Sequence, residues 1–357
     1  MLSLLAATSG CGTVGYYSQA IGGHFRLMRA RQPIDDLLAD KKLDSELRQK
    51  LETLVSARKF GIAELGLPDN DSYSSYAATG QRAVTFNVVA ADEFSVQPRT
   101  WCFPVAGCVS YRGYFDEEDA KGYAEKLASE NADVTVGGAS AYSTLGWFDD
   151  PILDTMLRGG DLRYVGTLFH ELAHQVLYVK NDSNFNEAYA SFVEQTGVRR
   201  WLTARGEADR IAVYDASQAR GAQFAQLLKQ TREQLQSLYA EELAADVMRK
   251  RKKDVFARMR ASYDTLKVEW NGYKGYDGWF SRELNNARLV AVSTYRRYVP
   301  AFAAMYDEAG ADMLAFHDLA RSVSELDSEE RQSRMDAYLL DQQAANNATS
   351  TDKADLQ

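Results

Sequence analysis

Histidine, cysteine and proline are scarce in this 357-residue chain: there are four, three and six of them. So few cysteines cannot build a disulfide-stapled scaffold, and so little proline excludes collagen-like and proline-rich low-complexity chains. A cationic excess is also missing. Lysine and arginine number 41 against 50 aspartates and glutamates, a formal net charge of −9. Nucleic-acid binders carry a basic surface, so no nucleic-acid partner is expected. The longest apolar run near the start, residues 4–7, is far too short to span a bilayer. What is present is 45% hydrophobic and 25% charged residues, the balance of a globular protein with a buried core.

Apolar spacing through Leu37, Leu38, Leu47, Leu51, Leu54 and Val55 predicts a helix over 33–67, stopped by Gly66 and Pro68. Residues 69–114 turn β-like, with runs at 83–89, 101–103 and 109–114. A helix over 116–131 and a strand over 133–138 follow. After Asp161 almost everything reads as helix, including one long run over 207–270. The fold class is therefore α+β and predominantly helical, with a small β-sheet N-terminal part and a helical C-terminal part. The division is a signal remnant at 1–11, an α+β catalytic part at 12–204, a helical part at 205–325 that closes the site, and a polar, disordered tail at 326–357. The basic run at 249–253 reads as a solvated helix face.

Against that scarcity of histidine, one segment stands out: His170-Glu171-Leu172-Ala173-His174, an H-E-x-x-H pattern inside a helical stretch that starts at Asp161 as N-cap. With so few histidines, chance would produce it in on the order of one in several hundred such chains. Positions four apart stack on one helical face, so both imidazoles can reach one metal ion. Neutral imidazole and carboxylate suit Zn2+. Glu171 is then the carboxylate that takes a proton from water and hands it to the leaving amine. Zinc needs a third protein ligand. His24 and His317 are remote and lack a local pattern, whereas Glu187 and Glu194, seven apart in the next helix, share a face.

The second segment, Asn186-Glu187-Ala188-Tyr189-Ala190-Ser191-Phe192-Val193-Glu194, resembles the N-E-G-F-A-S-F-V-E motif of gluzincin metallopeptidases of the aminopeptidase branch, with seven of nine identities. That resemblance implies Glu187 as the third ligand. The gap of thirteen residues from His174 is shorter than usual, and Glu194, twenty residues on, fits the common spacing as the runner-up or as a carboxylate supporting a ligand. From about Cys11 to Asp318 the chain also resembles a bacterial family of predicted zinc aminopeptidases with lipoprotein character. Its blocks appear at 141–151, in both motifs above, at 284–289 (Leu-Asn-Asn-Ala-Arg-Leu), at Thr294-Tyr295 and at 299–302. The resemblance implies zinc-dependent peptide-bond hydrolysis, with peptides or proteins as substrates and an aminopeptidase as the activity.

The gluzincin comparison also assigns substrate groups. Gly137-Gly138 lies on a strand that would pair with the peptide backbone, and Gly138 would admit its close approach. The aminopeptidase branch carries G-x-M-E-N at this point, and here Gly138-Ala139-Ser140-Ala141-Tyr142 has no glutamate, so Glu194 is the acid expected to meet a substrate ammonium. Tyr295, with Tyr142 as the alternative, is the candidate to stabilise the oxyanion. Asp149 and Asp150 either orient a histidine or form the turn before Pro151.

Cys11, preceded by Leu4-Leu5-Ala6-Ala7-Thr8-Ser9-Gly10, resembles the lipobox of a bacterial lipoprotein; the alternative is a buried thiol. Acylation there implies a periplasmic location in the cell envelope, with membrane contact through the lipid alone. Cys102 and Cys108 flank turn residues Pro104 and Gly107 and are expected to form a disulfide, the alternative being two separate core thiols. Two other functions stand beside the aminopeptidase: a periplasmic zinc endopeptidase, and a zinc-stabilised binding protein with little turnover.

Overall fold

The computed structural model describes residues 8–103, 107–144, 147–292 and 297–354, without side chains at 8–14, 341 and 343–354. The chain forms two compact units, each assembled from three stretches: Met1–Leu27, Gln81–Ser140 and Asp209–Thr294 make the first, and Met28–Gly80, Ala141–Ala208 and Tyr295–Gln357 the second. They cut across the linear division at 204/205. Helices dominate, and the strands are short, as an α+β chain of this composition requires. Among the described residues no helix is long and apolar enough to cross a membrane.

The first unit holds an antiparallel sheet in the order Arg112–Tyr114, Thr85–Asp92, Ala132–Ala139. Alternation in the central strand buries Phe86, Val88 and Ala90 together with Ala120 and Leu127 of the Glu117–Ser129 helix. Asp116 starts that helix by accepting from the backbone N–H groups of Glu118 and Asp119. Trp101–Phe103 and Gly107–Val109 pair antiparallel with Cys102 opposite Cys108, and the two sulfurs are bonded.

The expected run over 207–270 is two helices, Ile211–Tyr239 and Ala245–Glu269, packed through Phe224, Leu228, Leu235, Val255, Met259 and Tyr263. The basic run within the second is not simply solvated. Lys252 is buried and donates to Asp133 Oδ2 at 2.6 Å and to the Glu93 carbonyl at 2.8 Å, while Arg249 grips the Glu93 carboxylate. A lysine buried this deeply needs such partners.

In the second unit the helix predicted over 33–67 breaks into Ile34–Ala39 and Ser45–Leu65, because Asp44 accepts from the Leu47 N–H and restarts the helix. Gly66 ends it with φ +63°, a left-handed position that glycine adopts without strain. Ser45–Leu65, Asp161–Val176 and Ser183–Ala204 pack together around Leu51, Leu54, Leu65, Phe169, Leu172 and Trp201. They approach closely at Gly197, where a Cβ would lie 2.7 Å from Leu65 Cδ1 and 2.9 Å from Phe169 Cδ2.

The segment expected to be a disordered tail is helical over Ser328–Ala354. Arg331, Met335 and Tyr338, spaced i, i+4, i+7, are buried, and the helix packs on Val299–Glu308. Polar composition hid this narrow buried stripe. Arg331 Nε donates to Asp182 Oδ2 at 2.8 Å, and Asp182 caps the Ser183–Ala204 helix by accepting from the Phe185 N–H.

Candidate metal centre

The H-E-x-x-H segment lies on Asp161–Val176, whose buried face carries Tyr164, Val165, Leu168, Phe169 and Leu172. Gly160, not Asp161, is the N-cap; Asp161 sits in the first turn, where its charge favours the helix dipole. The next helix, Ser183–Ala204, is fixed at its start by Asn186. That buried side chain accepts from the Val179 N–H and donates to the Val179 carbonyl, both at 2.8 Å. The asparagine of the second motif thereby folds the intervening loop back and sets the register of Glu187, one residue on.

Three side chains converge as a result. His170, His174 and Glu187 each offer a ligand atom, all within 4.8 Å of one another. The two Nε2 atoms are 3.2 Å apart; Glu187 Oε2 lies 3.4 Å from His170 Nε2, and its Oε1 lies 3.6 Å from His174 Nε2. Glu194 approaches the opposite side of the His170 ring, with Oε2 3.2 Å from Nδ1. A carboxylate accepts, so Nδ1 donates to Glu194, and a neutral His170 then presents a bare lone pair at Nε2 toward the other two. The buried His174 Nδ1 has no hydrogen-bond partner among the described residues.

The electrostatics favour a positive charge among these carboxylates. Burial alone would lower the pKa of His170, but Glu187 and Glu194 outweigh it and hold a proton on the ring. His174 moves down, by burial and then by the charge on His170. Burial opposes ionisation of Glu187, yet the two histidines keep it below the usual carboxylate value. The cluster therefore stabilises one positive charge between its members. Glu171 is pushed up to about 7, first by burial, with His170 opposing and the charges of Glu187, Asp150 and Glu194 adding.

Two residues around this centre are absent from any motif. Gly166 lies one turn before His170, and a Cβ there would be 3.1 Å from Glu194 Oε1 and 3.2 Å from its Cγ. Its lack of a side chain makes room for the carboxylate that orients His170. Tyr73 is fully buried at φ +60°, its N–H donates to the Asp150 carbonyl, and its hydroxyl lies beside Ser143 in the field of Glu171 and Asp150. A tyrosine held at positive φ is uncommon and costs backbone strain. Sequence offered only a weak signal, an Asn-Asp-Ser turn before it.

Of the remaining candidates, Glu194 has a different partner from the one expected: it serves His170 Nδ1, the nitrogen turned away from Glu187, rather than an open substrate position. Asp150 is buried and accepts from Thr144 N at 2.7 Å and Thr144 Oγ1 at 2.9 Å, holding its own loop. Tyr142 is half-buried in that loop. Gly138 belongs to the first unit, on Ala132–Ala139 opposite Phe86. Tyr295 lies outside the described residues, as does the Cys11 side chain, whose backbone is in the Thr8–Arg29 helix. His317 is engaged elsewhere: its ring joins the Tyr189 hydroxyl at 2.7 Å and the Leu65 carbonyl at 2.8 Å. That contact also accounts for tyrosine where the gluzincin motif has phenylalanine.

Residues 15–335 match the profile of a family described as "Putative aminopeptidase". The chain belongs to this family. No curated protein and no solved structure matches it. For a family of this description the substrates are peptides, and the converging donors are compatible with a metal ion.

Proposed function

We propose that the chain is a zinc-dependent aminopeptidase in which Glu171 is the general base. The observation that carries this reading is the convergence of His170 Nε2, His174 Nε2 and the Glu187 carboxylate within 4.8 Å of one another. Ligands about 2.0–2.1 Å from a tetrahedral ion lie roughly 3.4 Å from each other, close to the separations of 3.2, 3.4 and 3.6 Å here. When bound, zinc supplies Lewis acidity, acidifying water and polarising a carbonyl. His170, His174 and Glu187 would hold it, and Glu194 would fix the His170 ring in the tautomer that leaves Nε2 available. Glu171 would take the proton of the attacking water and return it to the departing amine. An oxyanion donor from Tyr295 or Tyr142 completes the reading.

Engagement of Glu194 by His170 removes the acid expected to meet a substrate ammonium. That favours the endopeptidase as the second reading. Acylation at Cys11 and a periplasmic position belong to the proposal as well.

Metal content and peptide digestion test it together. About one zinc per chain is expected, retained by Glu171→Gln while turnover falls by roughly 10²–10⁴-fold. A free-amine peptide should lose its first residue, and its N-acetylated twin should remain intact. Normal turnover in Glu171→Gln would overturn the mechanism, and internal cleavage of both peptides would establish the endopeptidase.

A further inference from the structure

A cavity of about 390 Å³ in the first unit is lined by Val134, Thr135 and Val136 of the edge strand and by Arg282, Asn285 and Arg288. Ala132–Ala139 ends its sheet, so among the described residues its outer edge has no strand partner. Asn285 covers the first position by donating to the Val134 carbonyl at 3.0 Å, which leaves the next residues to face the cavity.

Arg288 is the unusual member. It is only 7% exposed, yet no acidic side chain pairs with it among the described residues. Its guanidinium stacks over Trp279, with 4.8 Å from the central carbon to the ring centre, and Nη2 donates to the Trp279 carbonyl. Nε is buried without an acceptor. Nη1 is then the nitrogen left for a ligand. Burial, and then the neighbouring charge of Arg282, hold the Arg288 pKa below its usual value, as expected of a cation without a counter-ion.

Two of the other basic side chains lining the cavity are already balanced. Arg82 grips Glu117 through Nε and Nη2 at 2.7 and 2.8 Å, and Lys121 joins the same carboxylate at 3.1 Å. Glu283 pairs with neither Arg282 nor Arg288 among the described residues. A buried charge without a partner is unfavourable, and a ligand anion would relieve it. Glu117 and Glu283 would repel a dianion more than a monoanion, and a planar guanidinium matches a carboxylate.

We propose that this cavity binds the carboxylate of an extended peptide, received by Arg288 and Arg282 beside the free strand edge. The peptide as ligand rests on the peptidase reading; the preference for a carboxylate rests on the arginines.

Binding of N-acetyl-tetra-alanine and of its C-terminal amide to the full-length chain, measured calorimetrically with chelator present, tests the proposal without turnover. The free acid should bind at least ten-fold more tightly than the amide, and Arg288→Gln and Arg282→Gln should each erase most of that difference. Arg282 is exposed, so its variant decides the matter if Arg288→Gln does not fold. Equal binding of acid and amide, or a preference untouched in Arg282→Gln, overturns the site. Inorganic phosphate binding more tightly than the acid overturns the carboxylate assignment. A chain that shows the preference but hydrolyses nothing upholds this site and overturns only the peptidase reading.

Discussion

The two units each carry a cluster whose charges do not balance, and the imbalances have opposite sign. In the second, His170, His174 and Glu187 bring three possible ligand atoms within 4.8 Å of one another, an arrangement compatible with a metal cation. In the first, Arg288 and Arg282 line a cavity in which four basic side chains face two glutamates, and the proposed ligand is an anion. Buried polar groups are ordinarily satisfied, and the exceptions call for an explanation. His317 supplies the control. It is as buried as His174, yet each ring nitrogen has a partner in Tyr189 or Leu65, and it needs nothing further.

The sharpest way to break this comparison is at the two glutamates that touch His170. Glu187 faces Nε2 and Glu194 faces Nδ1, so removing charge from each should weaken metal binding by different routes. Glu187→Gln loses a ligand and should reduce zinc affinity by more than 100-fold. Glu194→Gln loses only the partner that orients the ring and should reduce it by about 10–100-fold. Competition with a chelating dye reads both. The reverse order would make Glu194 the ligand and Glu187 the support.

A smaller effect isolates the orienting contact without touching an acid. Alanine is a better helix former than glycine by about 1 kcal/mol, which offsets part of the cost of crowding in Gly166→Ala. Its Cβ would press on Glu194 at 3.1–3.2 Å and shift the carboxylate from His170 Nδ1. Zinc affinity should fall by up to about ten-fold while the chain remains folded. Unaltered affinity would show that Glu194 can give way and that Gly166 has no part in the centre.

These outcomes also mark what sequence could and could not disclose. The paired histidines were legible because i, i+4 spacing is a local property of one helix, and Glu187 because its neighbours Asn186 and Ser191 belong to a recognisable motif. Cys102 and Cys108 were legible for the same reason, six residues apart across a turn. The partner of Glu194 was not, because it depends on how Ser183–Ala204 lies against Asp161–Val176, and the same crossing gives Gly166 its meaning. Nor was the break at 240–244, which has no glycine or proline to announce it. The burial of Arg331 and Arg288 is tertiary in the same sense: composition records a charge but not its surroundings.

His317 yields the smallest effect and the cleanest control. The Leu65 carbonyl can only accept, so Nε2 donates to it, and Nδ1 accepts from the Tyr189 hydroxyl. Protonating Nδ1 would force the Tyr189 hydroxyl to turn and accept, and would place a charge in a buried site. Burial, chiefly, lowers the pKa of His317, with the Leu65 bond opposing, Arg321 adding, and Asp318 and Asp312 opposing. The ordinary value, about 6.5, applies to the unfolded chain. Above it both states are neutral and the contribution of this residue is complete. As the pH falls below about 6.5 the unfolded chain takes up a proton that the fold refuses, so stability declines until the folded pKa is reached. Melting temperatures recorded from pH 8 to pH 5 should therefore fall more steeply in the native chain than in His317→Gln, which cannot titrate. Parallel slopes would mean that His317 protonates as readily in the fold as outside it, and that its two hydrogen bonds do not hold the ring neutral.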